Sequence, residues 1–526
     1  MGGAGRSIRR VGGGLARWAR RGLARRALPR EHAFWVSLEL PSPLLDVASH
    51  GLGVDGRSLL GVLQVLESAA EQPRVAGVLL RLAGAPGGLA KAQSLRRALD
   101  ALRARGKRVI AWAESLDLES LFVASAADRL WLPETGRLDA VGLRLEGVYL
   151  RAFLERLDVK PEVVRIGSHK SAGEMFTEQG MSDASREQLE ALVGDAFDAL
   201  VAGIASGRAL SEAAVRAWID AGPHAARAAR EAGIVDDLVY RDEVAEHFAR
   251  CAASWRDAPG APEVVDGRVL PALGAAAGPR ELVTERPHLA YFVLHGAIAR
   301  GAGSGIASEP TEATLRRLAE DARVRGVVLR VDSPGGDALA SDLLWRGVWR
   351  LRREKPVVAS LGEVAASGGY YLASAADRVL AERSTLTGSI GVVGGKLDVS
   401  GLARRLGIGR DGVERGARAG MYGSGRGFTE DEREAVRAEM RGLYDTFVAR
   451  VAEGRGMSED AVRRAAEGRV WSGRAALGLG LVDALGGPLE ALAATRRAAG
   501  LRREPVVLEH HPRLPPAIRA LRRALA

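Results

Sequence analysis

Apolar residues in this chain fall into short continuous runs, separated by longer segments with helical spacing. The runs lie at Phe34 to Leu40, from Gly77 (GVLLRLAG), from Lys107 (KRVIAWA), at Leu289 to Leu294, from Gly326 (GVVLRVDS) and from Lys355 (KPVVASLG). Each run is short and rich in β-type residues, which reads as a buried strand, and the amphipathic segments between read as covering helices. Short buried strands alternating with helices predict βαβ units and a mostly parallel sheet, so the fold class is α/β.

These runs come in two matching sets. WAESLDLESLFVASAADRLW from Trp112 answers LGEVAASGGYYLASAADRVL from Leu361, so Asp128 matches Asp377 at an offset of 377 − 128 = 249. Further on, Gly233-Ile234-Val235-Asp236 answers Gly480-Leu481-Val482-Asp483. Self-similarity on this scale predicts two tandem domains of one architecture, each long enough for its own core. The expected division is a basic arm at 1–32, a first repeat at 33–256, a linker rich in Pro, Gly and Ala at 257–285, a second repeat at 286–505 and a basic tail at 506–526.

Composition narrows the function classes. With 47% hydrophobic and 27% charged residues in 526, the chain is of ordinary globular type, and no apolar run is long enough to span a bilayer. A formal charge of +10 suggests nucleic acid until its location is seen. Nine arginines fall in residues 1–30, and Arg513, Arg519, Arg522 and Arg523 sit in the tail. The body between is close to neutral, which argues against a nucleic-acid groove. Cys251 is the single cysteine, so neither a disulfide framework nor a cysteine zinc site is available, and no metal or cofactor is expected. In the arm, Ile8, Val11, Leu15 and Trp18 recur at helical spacing among the arginines, a pattern suited to a helix lying on an anionic membrane surface. A disordered basic tail is the alternative, favoured by Gly12, Gly13 and Gly14. The arm lacks the uninterrupted apolar core of a signal peptide.

The candidate chemistry lies where the repeats differ. Ser367, in Ala366-Ser367-Gly368-Gly369, follows a strand and opens a helix, where unpaired backbone N–H groups can hold an oxyanion. Taken alone, such a serine is an N-cap. The turn Asp332-Ser333-Pro334-Gly335-Gly336 follows the neighbouring strand to the same sheet edge, so N–H groups of Gly335, Gly336 and Gly368 are the candidate oxyanion hole. Part of that turn is architectural, because the first copy keeps Ala85-Pro86-Gly87-Gly88. A serine nucleophile needs a base, and His288, His295, His510 and His511 all lie away from comparable turns. Lys170, in Gly167-Ser168-His169-Lys170, is the other candidate. It must be neutral at working pH, which requires burial or nearby positive potential to lower its pKa, and a helix starting beside it would push in that direction. At the repeat offset Ser367 faces Leu118 and Lys170 faces Ala419, so each copy holds one half of a dyad that the other lacks.

With these segments in hand, the chain resembles the signal peptide peptidase A family of the long, tandem-repeat bacterial type, serine–lysine proteases. Asp332-Ser333-Pro334-Gly335-Gly336, Ala365-Ala366-Ser367-Gly368-Gly369-Tyr370, Leu386-Thr387-Gly388-Ser389-Ile390-Gly391 and Gly167-Ser168-His169-Lys170-Ser171-Ala172 carry the resemblance. It implies two tandem spiral domains of the Clp protease/crotonase type, with Ser367 as nucleophile, Lys170 as general base and Ser389 orienting the lysine amine. The repeat agrees, since Ser389 faces Ala140. It also implies hydrolysis of cleaved signal peptides and similar apolar peptides, and a bowl-shaped homo-oligomer, a tetramer. The family's usual transmembrane anchor is replaced here by the arginine-rich arm, so a peripheral position on the bacterial inner membrane is expected, the cytoplasmic face favoured. A catalytically silent crotonase-like scaffold and an acyl-CoA-processing enzyme are the competing readings.

Overall fold

The computed structural model describes residues 29, 32–46, 58–255, 263–267 and 287–501, together with the backbone of a strand at 506–510. The arm positions Ile8, Val11, Leu15 and Trp18 lie outside the described residues, as do most of the expected linker and tail.

The strands of the first repeat include β1 (Phe34–Leu40), β2 (Val75–Leu82), β3 (Arg108–Ala113), β4 (Arg129–Leu132), β5 (Lys160–Ile166), β6 (Asp237–Leu238) and β7 (Glu263–Asp266), beside a small three-stranded sheet of Ser115–Asp117, Arg137–Asp139 and His224–Ala225. Of β1 to β7, all but β5 form a six-stranded parallel sheet in the order β7-β1-β2-β3-β4-β6. The second repeat has β8 (His288–His295), β9 (Val324–Ser333), β10 (Val357–Ala366), β11 (Arg378–Ala381), β12 (Leu386–Gly388), β13 (Val392–Asp398), β14 (Val470–Ser472), β15 (Ala484–Leu485) and β16 (Val506–His510). Its eight-stranded sheet runs β14-β12-β10-β9-β8-β16, with β11 beside β10 and β15 beside β11. Only the β12–β14 pair is antiparallel. The two sheets correct the expected boundaries. Glu263–Asp266 falls in the segment read as linker and Val506–His510 in the segment read as tail, yet each pairs in parallel with the first strand of its repeat.

The helices that position the site are α1 (Leu59–Glu71), α2 (Leu89–Ala104), α3 (Leu118–Ala124), α4 (Asp183–Arg208), α5 (Ser308–Glu320), α6 (Ala338–Arg352), α7 (Gly368–Ala373) and α8 (Glu430–Arg455). Strand β8 is buried at all but its last residue, as expected of a central strand covered on both faces. Each repeat has its own apolar core, one around Leu63, Val78 and Leu121 and the other around Phe292, Leu329 and Trp345.

Motifs kept in both copies hold this architecture. The Asp128 carboxylate accepts from the Val109 N–H at 2.8 Å, and Asp377 accepts from Val357 at 2.8 Å, tying a loop to a strand start in each repeat. Asp236 and Asp483 do the same for Leu130 and Val379, at 2.8 and 2.6 Å. The duplicated aspartates are thus structural.

Among the contacts that join the repeats are a strand ladder, a buried ion pair and a capped helix start. Strand β5 of the first pairs antiparallel with β13 of the second, Ile166 opposite Val392 through Lys160 opposite Asp398. The fully buried Arg330 guanidinium holds Asp46 at 2.8 Å. Burial pushes the Asp46 carboxyl up, but the charges of Arg330 and Lys91 more than offset this and leave it below its ordinary value. The Glu363 carboxylate, from β10, accepts the Ala90 and Lys91 N–H groups in the first turn of α2 at 2.9 and 2.8 Å. Burial still raises it to about 7.

Candidate active site

Ser367 stands between β10 and α7 with φ +53° and ψ −121°. Its side chain makes no capping hydrogen bond, so the N-cap reading does not hold. In the first copy the helix start is capped conventionally: Asp117, just before Leu118, accepts from the Ser120 N–H at 2.8 Å in a capping box. Ser389 also has a positive φ, +52°. Their counterparts Leu118 and Ala140 are absent from the positive-φ residues described. Left-handed backbone at a non-glycine residue costs about 1–3 kcal/mol and persists where surrounding bonds enforce it. Here the Ser367 N–H donates to the Gly388 carbonyl at 2.8 Å, and the Ser389 N–H to the Arg469 carbonyl at 2.7 Å. At these two matched positions the strain is found in the copy that carries the serines.

Lys170 arrives from the other repeat at the end of β5. Its Nζ lies 3.1 Å from Ser367 Oγ, 3.0 Å from Ser389 Oγ and 2.9 Å from the Ser389 carbonyl oxygen. The residue is 4% exposed, and burial lowers its pKa from 10.5 to about 8. The expected helix dipole is not the cause. Lys170 is followed by a three-residue 3₁₀ turn, Ser171–Gly173, too short to set up a field of that kind. Among the described residues Ser367 Oγ has no histidine partner. His295 faces Asp332 at 3.6 Å at the far end of β8 from His288, and the side chains of His510 and His511 lie outside the described residues.

The glycine turn behaves differently at its two positions. Gly335 has φ +100°, and a Cβ there would meet the Gly368 nitrogen at 2.7 Å, so only glycine permits this approach. Its N–H donates to Ser333 Oγ at 3.2 Å, which removes it from the expected oxyanion hole. The N–H groups of Gly336 and Gly368 have no partner among the described residues, and both glycines line the site cavity. That cavity is about 740 Å³. Beyond Lys170 and Ser367 its walls are largely apolar, including Leu339, Tyr371, Val392, Phe428, Met440 and Phe447.

Two residues not singled out in the sequence hold the lysine turn. Gln188, on α4 and 1% exposed, donates from Nε2 to the His169 carbonyl at 3.3 Å and to Ser171 Oγ at 3.4 Å. Its Oε1 accepts from the Val470 N–H of the second repeat at 3.0 Å. Glu467 accepts from the Ser168 N–H at 3.1 Å, and its carbonyl from the His169 N–H at 2.8 Å. A signal for Gln188 did exist. Helices α4 and α8 match at an offset of 430 − 183 = 247, which sets Gln188 against Ala435, another loss confined to one copy.

Residues 101–254 and 350–502 match the profile of peptidase family S49, one segment in each repeat. The chain belongs to peptidase family S49. It is similar to the chloroplastic serine protease SPPA of Arabidopsis thaliana, 31% identical over 459 residues, which are 85% of this chain and 66% of that one. It is also similar to Protease 4 of Salmonella typhi, 27% identical over 511 residues, 90% of this chain and 81% of the relative. A ClpP1 mutant from Listeria monocytogenes overlaps 40% of the peptidase and 97% of its own chain, at 14% identity and TM-score 0.26, too slight a likeness to carry weight. Family and relatives together support a serine protease, on an α/β fold of two S49 repeats.

Proposed function

We propose that this S49 peptidase is a serine endopeptidase acting through a dyad shared by its two repeats, with Ser367 as nucleophile and Lys170 as general base. The observation that carries the reading is the 3.1 Å approach of a buried, pKa-lowered Lys170 amine to a strained Ser367 hydroxyl. In this reading the neutral amine takes the Ser367 proton as Oγ attacks the scissile carbonyl, and the N–H groups of Gly336 and Gly368 receive the oxyanion. The lysine ammonium then protonates the leaving amine. A water, deprotonated by the same amine, then attacks the acyl carbon, and the ammonium so formed protonates Ser367 Oγ as the acid leaves. Ser389 holds the amine in line through its hydroxyl and carbonyl.

The apolar cavity walls favour extended apolar peptides, cleaved signal peptides among them. The arginine-rich arm supports a peripheral position on an inner-membrane surface, with the cytoplasmic face favoured, and no described helix is long and apolar enough to cross a membrane. Family resemblance supports a homo-oligomer. The experiment is hydrolysis of an apolar signal-peptide sequence by wild type, Ser367→Ala and Lys170→Ala. Loss of turnover by at least about a thousandfold in both variants, with unchanged thermal melting, is the expected result. Near-wild-type turnover by Lys170→Ala would exclude the dyad.

A further inference from the structure

Strand β10 breaks register on its way to the nucleophile. Val331 of β9 pairs with Leu361 and Ser333 with Ala365, so two steps along β9 match four along β10, and Gly362-Glu363-Val364 forms a bulge. From Val364 onward the strand pairs with β12, Val364 opposite Leu386 through Ala366 opposite Gly388, and the Ser367 N–H closes on the Gly388 carbonyl. The bulge therefore sets where Ser367 stands. Within its own repeat it is tied by the Val364 N–H, which donates to Asp332 at 3.1 Å, and by Thr385 Oγ1, which donates to the Gly362 carbonyl at 2.8 Å. A further tie crosses to the other repeat. Helix α6 is capped by its own Asp337, which accepts from the Ala340 N–H at 2.9 Å. Helix α2, its counterpart, starts at Gly88 with no side-chain cap and no acidic residue in its first turn, and Glu363 supplies what is missing by accepting from Ala90 and Lys91. Only glycine leaves room for this, since Gly88 has φ +143° and a Cβ there would overlap the Glu363 carboxylate. At the repeat offset Glu363 faces Glu114, whose exposed carboxylate lies 3.8 Å from Arg81.

We propose that Glu363 is a positioning residue for catalysis: seated on the glycine turn of the silent copy, its carboxylate holds the β10 bulge, and with it the Ser367 hydroxyl, in line with Lys170. This rests on the serine–lysine reading above. A shift on the order of 1 Å at a reacting atom can cost about a hundredfold in rate, so a loosened bulge acts on kcat and leaves KM alone. The ionised form is the one that works, because only a carboxylate accepts freely at both oxygens. The charged and titratable groups around it are Lys91 on α2, Glu119 on α3, which accepts from the Gly88 N–H at 3.1 Å, Arg330 and Asp332 on β9, Asp46 after β1, and His295 on β8. Burial acts most strongly on Glu363 and outweighs Lys91 and Arg330, which favour the charge, so its pKa of about 7 places the loss of this tie just below neutrality.

Peptide hydrolysis by the full-length protein at pH 6 and pH 8.5 tests this. Glu363→Gln keeps the shape of the protonated side chain, and at pH 8.5 it should lower kcat about tenfold with KM unchanged. At pH 6 the gap should shrink to about twofold, because only about a tenth of wild-type Glu363 keeps its charge there. Lys170 titrates in both proteins and cancels from the ratio. Gly88→Ala displaces the carboxylate from the side of the first repeat and should also lower kcat, and the double variant with Glu363→Gln should lose no more than Gly88→Ala alone. In a His295→Asn background the gap and its narrowing should persist. A gap equally wide at pH 6, a change confined to KM, losses that multiply in the double variant, or a gap that disappears with His295→Asn overturns the proposal. Wild-type turnover that survives Ser367→Ala is the failure of the dyad reading. Turnover that depends on Ser367 and Lys170 but runs at the wild-type rate in Glu363→Gln at pH 8.5 overturns the positioning role alone.

Discussion

The Lys170 amine is held at two points of one residue, the Ser389 hydroxyl at 3.0 Å and the Ser389 carbonyl at 2.9 Å. Removing the hydroxyl therefore leaves the carbonyl anchor in place. Ser389→Ala should lower turnover about 10- to 100-fold, the scale of one strong hydrogen bond, without abolishing it. Steady-state kinetics on a peptide substrate check this, and a loss as complete as that of Ser367→Ala would make Ser389 a reacting group.

Gln188 bears on the site through the lysine turn and is not among the residues that line the cavity. Gln188→Ala should reduce kcat about tenfold, the order of one or two hydrogen bonds, with little change in KM. A looser turn admits water to Lys170, so the pH midpoint of activity should also move up toward the ordinary lysine value of 10.5. A variant with lower stability but an unchanged pH profile would mean that Gln188 only braces the fold.

Burying the Lys170 amine costs stability. Its pKa is about 8 when folded and 10.5 ordinarily, so below pH 8 the folded protein buries an ammonium. Between those values the unfolded chain binds the extra proton, and stability rises with pH across that window. Lys170→Met should therefore raise stability most at or below pH 7, by at most about 3 kcal/mol, with the advantage shrinking as pH approaches 10.5. Melting curves at pH 7 and 10 measure it, and a variant less stable than wild type at pH 7 would contradict the burial cost.

Nine arginines beside Ile8, Val11, Leu15 and Trp18 should bind anionic vesicles, each basic residue contributing about 1 kcal/mol near the surface. Co-sedimentation should be strong for the full chain, weak for protein lacking residues 1–30, and reduced by salt. Equal binding by both proteins would exclude the arm as the attachment.

The repeat singled out Ser367, Lys170 and Ser389 because it compares the chain with itself at Leu118, Ala419 and Ala140, and the structure brings those three side chains together. The same comparison pointed away from ASAAD, whose aspartates turned out to be loop ties. Local pattern could not reveal the β5–β13 ladder. Val392–Asp398 contains two adjacent glycines and reads as a loop, and its partner lies in the other repeat. Nor does sequence show which N–H groups are free. Gly335 looked equivalent to Gly336 until the Ser333 hydroxyl was seen to occupy it. Of the two causes expected to lower the Lys170 pKa, burial acts and the helix end does not, because the strand-to-helix junction read in the sequence is a short 3₁₀ turn.

The central claim, a Ser367 hydroxyl activated by Lys170 across the repeat boundary, is tested most directly by the pH dependence of fluorophosphonate labelling. Peptide mapping should place the label on Ser367, and the labelling rate should rise with pH through a midpoint near 8, then vanish in Lys170→Ala. A label on another serine, a midpoint near the histidine value of about 6.5, or a Lys170→Ala protein that labels at the wild-type rate would contradict it.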